Sequence, residues 1–260
     1  MKNSTIKNTM LKFARTVFVL AFWVILWHII ATKIDLDILV SKPSDVFERL
    51  IYLGKDKQFY DTIFSSVLNI LSGFLKAVLL GVITGMITAK VRLLDEIVSP
   101  ILSVIKATPV ASFILLAYFW IDTPLIPSFI SFLMVFPIVH TNVSEGLKNT
   151  PKELIEMTKI YKFSPIHKIT KLYLPSITPY FLAAFKTSLG LAWKAGVAAE
   201  VICNLKGTIG SELYKAKTYL ETVDIFAWTV TIIVISIIIE KVLMFGVDML
   251  ANRHKKEVLK

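Results

Sequence analysis

Three ionisable side chains, Lys186, Lys194 and Glu200, fall inside one otherwise apolar run at 177–203. At mid-bilayer a charged group costs at least about 2.5 kcal/mol on insertion scales, so it turns toward protein or a water-filled route, where a lysine attracts an anion. At about 100° per residue, Lys186 and Lys194 are about 80° apart; Glu200 is about 120° from Lys194, nearer the face of Trp193, Gly196 and Val197. Trp193, Lys194 and Glu200 are therefore candidates to border a translocation pathway, with Thr108 and Pro109 of an earlier apolar run beside them and Lys106 as a neighbour. The bland alternatives are a snorkelling or interhelically paired Lys194, an interfacial Glu200 and a packed Trp193. Lys76 and Lys241 read as snorkelling groups. No Gly-x-x-x-x-Gly-Lys-[Ser/Thr] sequence occurs, so any ATP chemistry must sit on another polypeptide. The single Cys203 and the scattered His28, His140, His167 and His254 form neither a disulfide framework nor a zinc spacing. The chain is expected to hold no catalytic residue, cofactor or metal. The surface cluster of His, Asp, Glu or Ser that a membrane-embedded enzyme would need is not visible.

The elements that must carry these residues are apolar. Of 260 residues, 55% are hydrophobic and only 18% charged, and the mean hydropathy is +0.67; soluble domains average about 25% charged residues. The net charge of +10 is spread through short segments between apolar runs and not gathered with interleaved aromatics, which argues against nucleic acid. Crossing about 30 Å of hydrocarbon takes about 20 apolar residues as helix. Six runs meet or approach that length: 16–31, 63–89, 97–120, 125–143, 177–203 and 225–245. They predict an all-α polytopic membrane protein in which residues 1–260 form one transmembrane domain. The first run follows Lys2, Lys7, Lys12 and Arg15 as a signal peptide would, but no small-x-small cleavage site follows it, so it reads as an uncleaved anchor.

With both termini inside, the inner segments hold sixteen lysines and arginines and the outer ones eight, so cytoplasmic termini are expected. Outside, Pro43-Ser44-Asp45 with Val46, Phe47, Leu50 and Ile51 predicts a short amphipathic helix stopping near Gly54. Pro100 and Pro109 punctuate the third run, and Pro127 and Pro137 the fourth, marking sites where a helix kinks.

The longest inner loop, 144–176, carries a pattern of its own. Asn149-Thr150-Pro151 predicts a helix start, after which Leu154, Ile155, Thr158 and Tyr161 recur at helical spacing among Lys152, Lys159 and Lys162. Ser164-Pro165 breaks the run and starts a second short helix through Ile166, Ile169 and Leu172, which Leu174-Pro175 ends. The product is a two-helix knob, apolar on one side and cationic elsewhere. A solvated loop needs no apolar stripe.

Glu156-Met157-Thr158, three residues, Lys162, nine residues, then Leu172-Tyr173-Leu174-Pro175 resembles the EAA loop of bacterial ABC-importer permeases, in which Glu-Ala-Ala, three residues, Gly, nine residues, Ile-x-Leu-Pro is usual. Every spacing is kept; a lysine stands where the pattern has glycine. Leu39 to Ser44 ahead of Val46 and Leu50, Ser72-Gly73-Phe74, Thr108-Pro109-Val110-Ala111, Gly190-Leu191-Ala192-Trp193 and Ala199-Glu200 are similar to the nitrate/sulfonate/taurine branch, which also includes permeases for bicarbonate and thiamine precursors.

The resemblance implies a bacterial inner (cytoplasmic) membrane permease acting as a homodimer. Its partners would be two ATP-binding-cassette ATPases that bind the ATP and magnesium, an extracytoplasmic solute-binding protein and membrane lipid. It implies that Leu154, Ile155, Glu156, Thr158, Tyr161, Lys162, Ser164, Leu172, Leu174 and Pro175 form the surface that couples to the ATPase, with Glu156 capping or salt-bridging within the knob. The solute would be small and anionic or polar, moved by alternating access. The other reading, an ATP-independent channel or secondary transporter, lacks an inverted repeat or a pair of interrupted half-helices.

Overall fold

The computed structural model describes the backbone of residues 2–34, 36 and 38–258, and the side chains of 11, 14–34, 36, 38–247 and 249. The side chains of Lys2, Lys7, Lys12 and 253–260, which entered the sequence reading, lie outside the described residues. All regular structure among the described residues is helical. Helices α1 (Lys2–Ile34), α2 (Pro43–Leu53), α3 (Lys57–Thr88), α4 (Arg92–Ala107), α5 (Val110–Trp120) and α6 (Ile126–Lys148) are followed by α7 (Lys152–Ile160), α8 (Pro165–Lys168), α9 (Leu174–Cys203), α10 (Ile209–Thr218) and α11 (Thr222–Val258).

Four stretches are long and apolar enough to cross a bilayer: Ala14–Ile34, Lys57–Thr88, Thr123–Lys148 and Thr222–Val247; the pair α4 and α5 makes a fifth if taken together. The protein is therefore a polytopic all-α membrane protein. Two of the six expected runs take a different form. The run at 97–120 is broken between α4 and α5, whose axes differ by 108°. The cause is local: Pro109 has no N–H and forces Thr108 into an extended conformation with ψ 130°. The last regular bond of α4, Thr108 N–H to the Val104 carbonyl at 3.0 Å, is kept, and the Thr108 hydroxyl donates to the same carbonyl at 2.7 Å. Pro100 and Pro137, by contrast, sit inside unbroken helices. The run at 177–203 is a continuous helix of 30 residues, about 45 Å long. It is not among the four stretches, and Lys186, Lys194 and Glu200 lie within it.

The chain divides into two compact units. The first comprises 1–60 and 212–231. In it α2 is the expected amphipathic helix, with Pro43 in its first turn, Val46 buried and Gly54 at its end. The Trp27 indole N–H donates to the Ser41 carbonyl at 3.1 Å, and its ring stacks on Phe226 at 5.4 Å. Arg49 grips Asp224 with two parallel bonds, Nη2 to Oδ2 being 2.7 Å. These bonds raise the Arg49 pKa above its ordinary value, and Asp224, in the first turn of α11, suits the positive end of that helix.

The second unit comprises 61–211 and 232–260. Its centre is α6, which is buried on nearly every face. It can be so enclosed because α3 presents small residues every fourth position, Gly73, Ala77, Gly81 and Gly85, all buried. A Cβ on Gly73 would stand 1.9 Å from the Ser128 carbonyl oxygen, and one on Gly85 2.7 Å from that of His140. Hydroxyls reinforce the contact: Ser72 to Ser128 at 2.8 Å, Ser131 to the Ile70 carbonyl at 3.0 Å, and Thr84 to His140 Nδ1 at 2.9 Å. On another side of α6, Ile114 and Ala117 of α5 join Ile126, Ile130 and Leu133 with Ala195, Ala199 and Cys203 of α9 in one apolar cluster.

Gly73→Ala is expected to lower the thermal stability of the solubilised protein by about 1–3 kcal/mol through overpacking. Gly190→Ala, where an added Cβ meets nothing within 4 Å, should be neutral or stabilising, as measured by the same melting assay. In a double-mutant cycle, Arg49→Ala and Asp224→Ala should show a coupling energy of about 1 kcal/mol. Arg49→Lys should recover less than half of it because an ammonium cannot make the fork.

Candidate functional site

The knob between α6 and α9 begins one residue later than the sequence suggests. Pro151 occupies the N-cap and not the first helical position, and Thr150 is buried without capping. Within α7, Thr158 is buried and Ile155 half-buried, while Leu154, Glu156 and Met157 face outward. Glu156 makes no ion pair or side-chain hydrogen bond among the described residues, so the expected cap or salt bridge is not formed. Beyond it, Ile160 is 76% exposed, Tyr161 70% and Ile166 73%. These are large apolar side chains standing in the open beside Lys159 and Lys162.

The turn that closes α7 is set by Lys162, whose φ is +49°. Phe163 N–H donates to the Thr158 carbonyl at 2.9 Å and Lys162 N–H to that of Lys159 at 3.1 Å. With Tyr161 as the last half-helical residue, these are the paired bonds of a Schellman end. A left-handed lysine costs roughly 1–2 kcal/mol, offset in part by its charge beside the terminal carbonyls. The tight turn associated with glycine in the pattern is thus built with lysine. Ser164 then caps α8, its hydroxyl accepting from His167 N–H at 3.3 Å, as the Ser-Pro pair predicts.

Leu174-Pro175 does not stop the chain as expected. A π-helical turn, Ile169–Tyr173, carries α8 into α9, with Leu174 N–H bonded to the Ile169 carbonyl. Pro175 falls in the first turn of α9, where a missing N–H is harmless. Leu172 is buried, tying this turn to the body of the unit.

On α9 the candidate pathway residues separate. Trp193 is buried, its indole N–H donating to the Ile232 carbonyl at 3.2 Å. Glu200 is fully buried at 0% exposure. Its Oε2 accepts from the Ser66 hydroxyl at 2.8 Å and from Gly210 N–H at 3.1 Å, while Oε1 has no partner. The Ser66 oxygen in turn accepts from Ile209 N–H at 2.9 Å. The Glu200 side chain therefore holds the Gly210 N–H directly and the Ile209 N–H through the Ser66 hydroxyl, covering two of the N–H groups that open α10. Lys194 lies on the exposed face of α9 together with Lys186, Thr187 and Leu191. No bond joins it to Glu200 among the described residues. Lys186 reaches Glu240 at 3.8 Å.

Thr108 and Pro109 form the corner between α4 and α5, and nearby Lys106 donates to the Thr141 hydroxyl at 2.9 Å. The sequence reading did not single out Ser66 or the Lys148 to Asp95 bridge at 2.6 Å, which joins the end of α6 to the start of α4. Neither shows a local pattern. Each acts through a partner dozens of residues away.

A family model described as the inner membrane component of binding-protein-dependent transport systems matches residues 77–256. A probable ABC transporter permease protein of Brucella melitensis is 26% identical over 207 residues, covering 79% of this chain and 84% of that protein. The nitrate import permease protein of Leptolyngbya laminosa is 26% identical over 151 residues, or 57% of this chain and 54% of its own. The glycine betaine transport system permease protein of Bacillus subtilis is 25% identical over 192 residues, or 74% and 66%. All three are named as permeases, and the nitrate permease agrees with the branch resemblance drawn from the residues. The matched region takes in the knob, the whole of α9 and the corner at Pro109, and the chain belongs to the family of binding-protein-dependent transport system inner membrane components.

Proposed function

We propose that this chain is one half of the membrane pathway of an ATP-driven importer, two copies of it enclosing the route. In this reading it lies in the bacterial cytoplasmic membrane with both termini inside, as the sixteen-to-eight lysine and arginine count favours. An extracytoplasmic binding protein delivers the solute on one side. On the other, a separate ATPase seats the knob of each copy, supplying the ATP and magnesium chemistry that this chain has no loop to perform.

The observation that carries the proposal is the exposed apolar surface of Ile160, Tyr161 and Ile166 on a knob whose own core residues, Thr158 and Leu172, are buried. Such a surface suits a cleft on a partner, with Leu154, Ile155, Glu156, Lys162, Ser164, Leu174 and Pro175 shaping or framing it. Closure of the two ATPases around ATP would displace the knob. Because the π turn is continuous with α9, the displacement would reach the helix that carries Lys194, and the two membrane halves would alternate between outward and inward openings.

Lys194 is the residue best disposed to meet solute, with Thr108 and Pro109 at a neighbouring corner; Trp193 and Glu200 act by holding the wall that Lys194 stands on. A small solute bearing an anionic group fits this reading. Nitrate is an anion and glycine betaine carries a carboxylate, which is the chemistry an exposed lysine attracts.

Glu156→Lys combined with Leu154→Ala should abolish transport and substrate-stimulated ATPase activity in proteoliposomes while leaving membrane insertion intact; unchanged transport would sink the docking role. Lys162→Gly should preserve transport and raise thermal stability by about 1 kcal/mol, the left-handed cost less the lost charge at the helix end. Lys162→Ile, β-branched in a left-handed position, should lower both, and equal behaviour of the two variants in those assays would remove the turn from the mechanism.

A further inference from the structure

A groove of about 410 Å³ opens at the end of α3, walled by Ile83, Met86 and Ile87 of α3, Leu147 of α6, Ile169 of the π turn and Ile177 of α9. Lys90, Val91, Tyr173 and Leu174 complete it, so only Lys90 and Tyr173 bring polar side-chain atoms to its lining. Lys90 Nζ lies 4.6 Å from the centre of the Tyr173 ring. It has no carboxylate partner among the described residues. We propose that this groove binds an anionic phospholipid of the surrounding bilayer, an acyl chain lying along the α3 wall and the phosphate meeting Lys90.

Depth and charge both favour this occupant. The α3 stretch Lys57–Thr88 is one of the long apolar segments, and at about 1.5 Å per residue it exceeds the roughly 30 Å of hydrocarbon, so a groove at its Thr88 end falls toward one face of the bilayer. A lysine over a tyrosine at that level is the pairing found at membrane interfaces, with the apolar bodies in the tails and the polar tips among the headgroups. Arg92, next to Val91, and Lys171, two residues from Ile169 and Tyr173, add cations on the same chain segments; Arg92 is shared with Glu96, while Lys171 is exposed. An ammonium lacking a carboxylate beside an apolar groove matches a molecule with one anionic and one hydrocarbon end. Water matches the first alone and a neutral lipid the second alone. Two of the groove residues, Ile169 and Tyr173, belong to the π turn. The unwound geometry that carries α8 into α9 thus also forms part of the groove wall. The site stands whether or not the knob docks an ATPase.

The test uses the full chain in lipid nanodiscs containing photoactivatable phosphatidylglycerol or phosphatidylcholine with the reactive group in the acyl chain, and maps labelled peptides by mass spectrometry. Peptides spanning 83–91 and 169–177 should be labelled about fivefold more by phosphatidylglycerol, the preference that one interfacial lysine confers. Lys90→Glu should bring that labelling to the phosphatidylcholine level and Lys90→Arg should retain it. Equal labelling of the unaltered chain by the two lipids overturns the proposal. So does the absence of label from these peptides, the result expected if another protein chain covers the groove.

Discussion

A peptide group in hydrocarbon has no water to turn to, so every departure from helix inside the membrane must bring its own donors and acceptors. Three departures among the described residues keep backbone bonds close at hand. At the corner between α4 and α5, Thr108 N–H still closes on the Val104 carbonyl and Ser112 N–H turns back to that of Pro109. Where α8 meets α9, the π turn lengthens one ring of bonding and leaves no gap. Past the end of α9, Asn204 takes a left-handed conformation so that Leu205 N–H returns to the Glu200 carbonyl. The side chain of the same Glu200 receives the N–H of Gly210.

That constraint explains how α9 combines two tasks on one helix. Its buried side, from Ile177 through Ala184, Leu189, Trp193 and Val197 to Glu200, packs among protein atoms and need not be as apolar as a helix facing lipid. Relief from lipid contact lets it hold a carboxylate whose work is local. The exposed side carries the lysines.

Much of this was legible in the residues. Apolar length gave the helical membrane architecture, Pro109 marked the break, Ser164-Pro165 marked the cap of α8, and the 100° geometry put Glu200 on the face of Trp193, Gly196 and Val197, all now seen buried. Other features depend on contacts that one sequence does not display. The every-fourth small residues of α3 gain meaning only once α6 is their neighbour. The role of Glu200 at the start of α10 depends on a return of the chain ten residues later and on Ser66 from a different helix. Lys162 was legible as a departure in residue type but not as a conserved shape. Residue type biases φ without fixing it, and tertiary structure overrode the bias here.

The meeting of α3 with α6 has a further consequence, for register. A face of glycines and one alanine offers close contact but few knobs to sit in holes, so shape alone does little to resist one helix sliding along the other. The polar pairs act as pegs. Ser72 with Ser128 fixes one point along the contact, and Thr84 and Thr88, both within hydrogen-bonding distance of His140, fix another about three turns away. The glycine face sets how closely the helices approach, while these hydroxyls and one imidazole determine which residues lie opposite which.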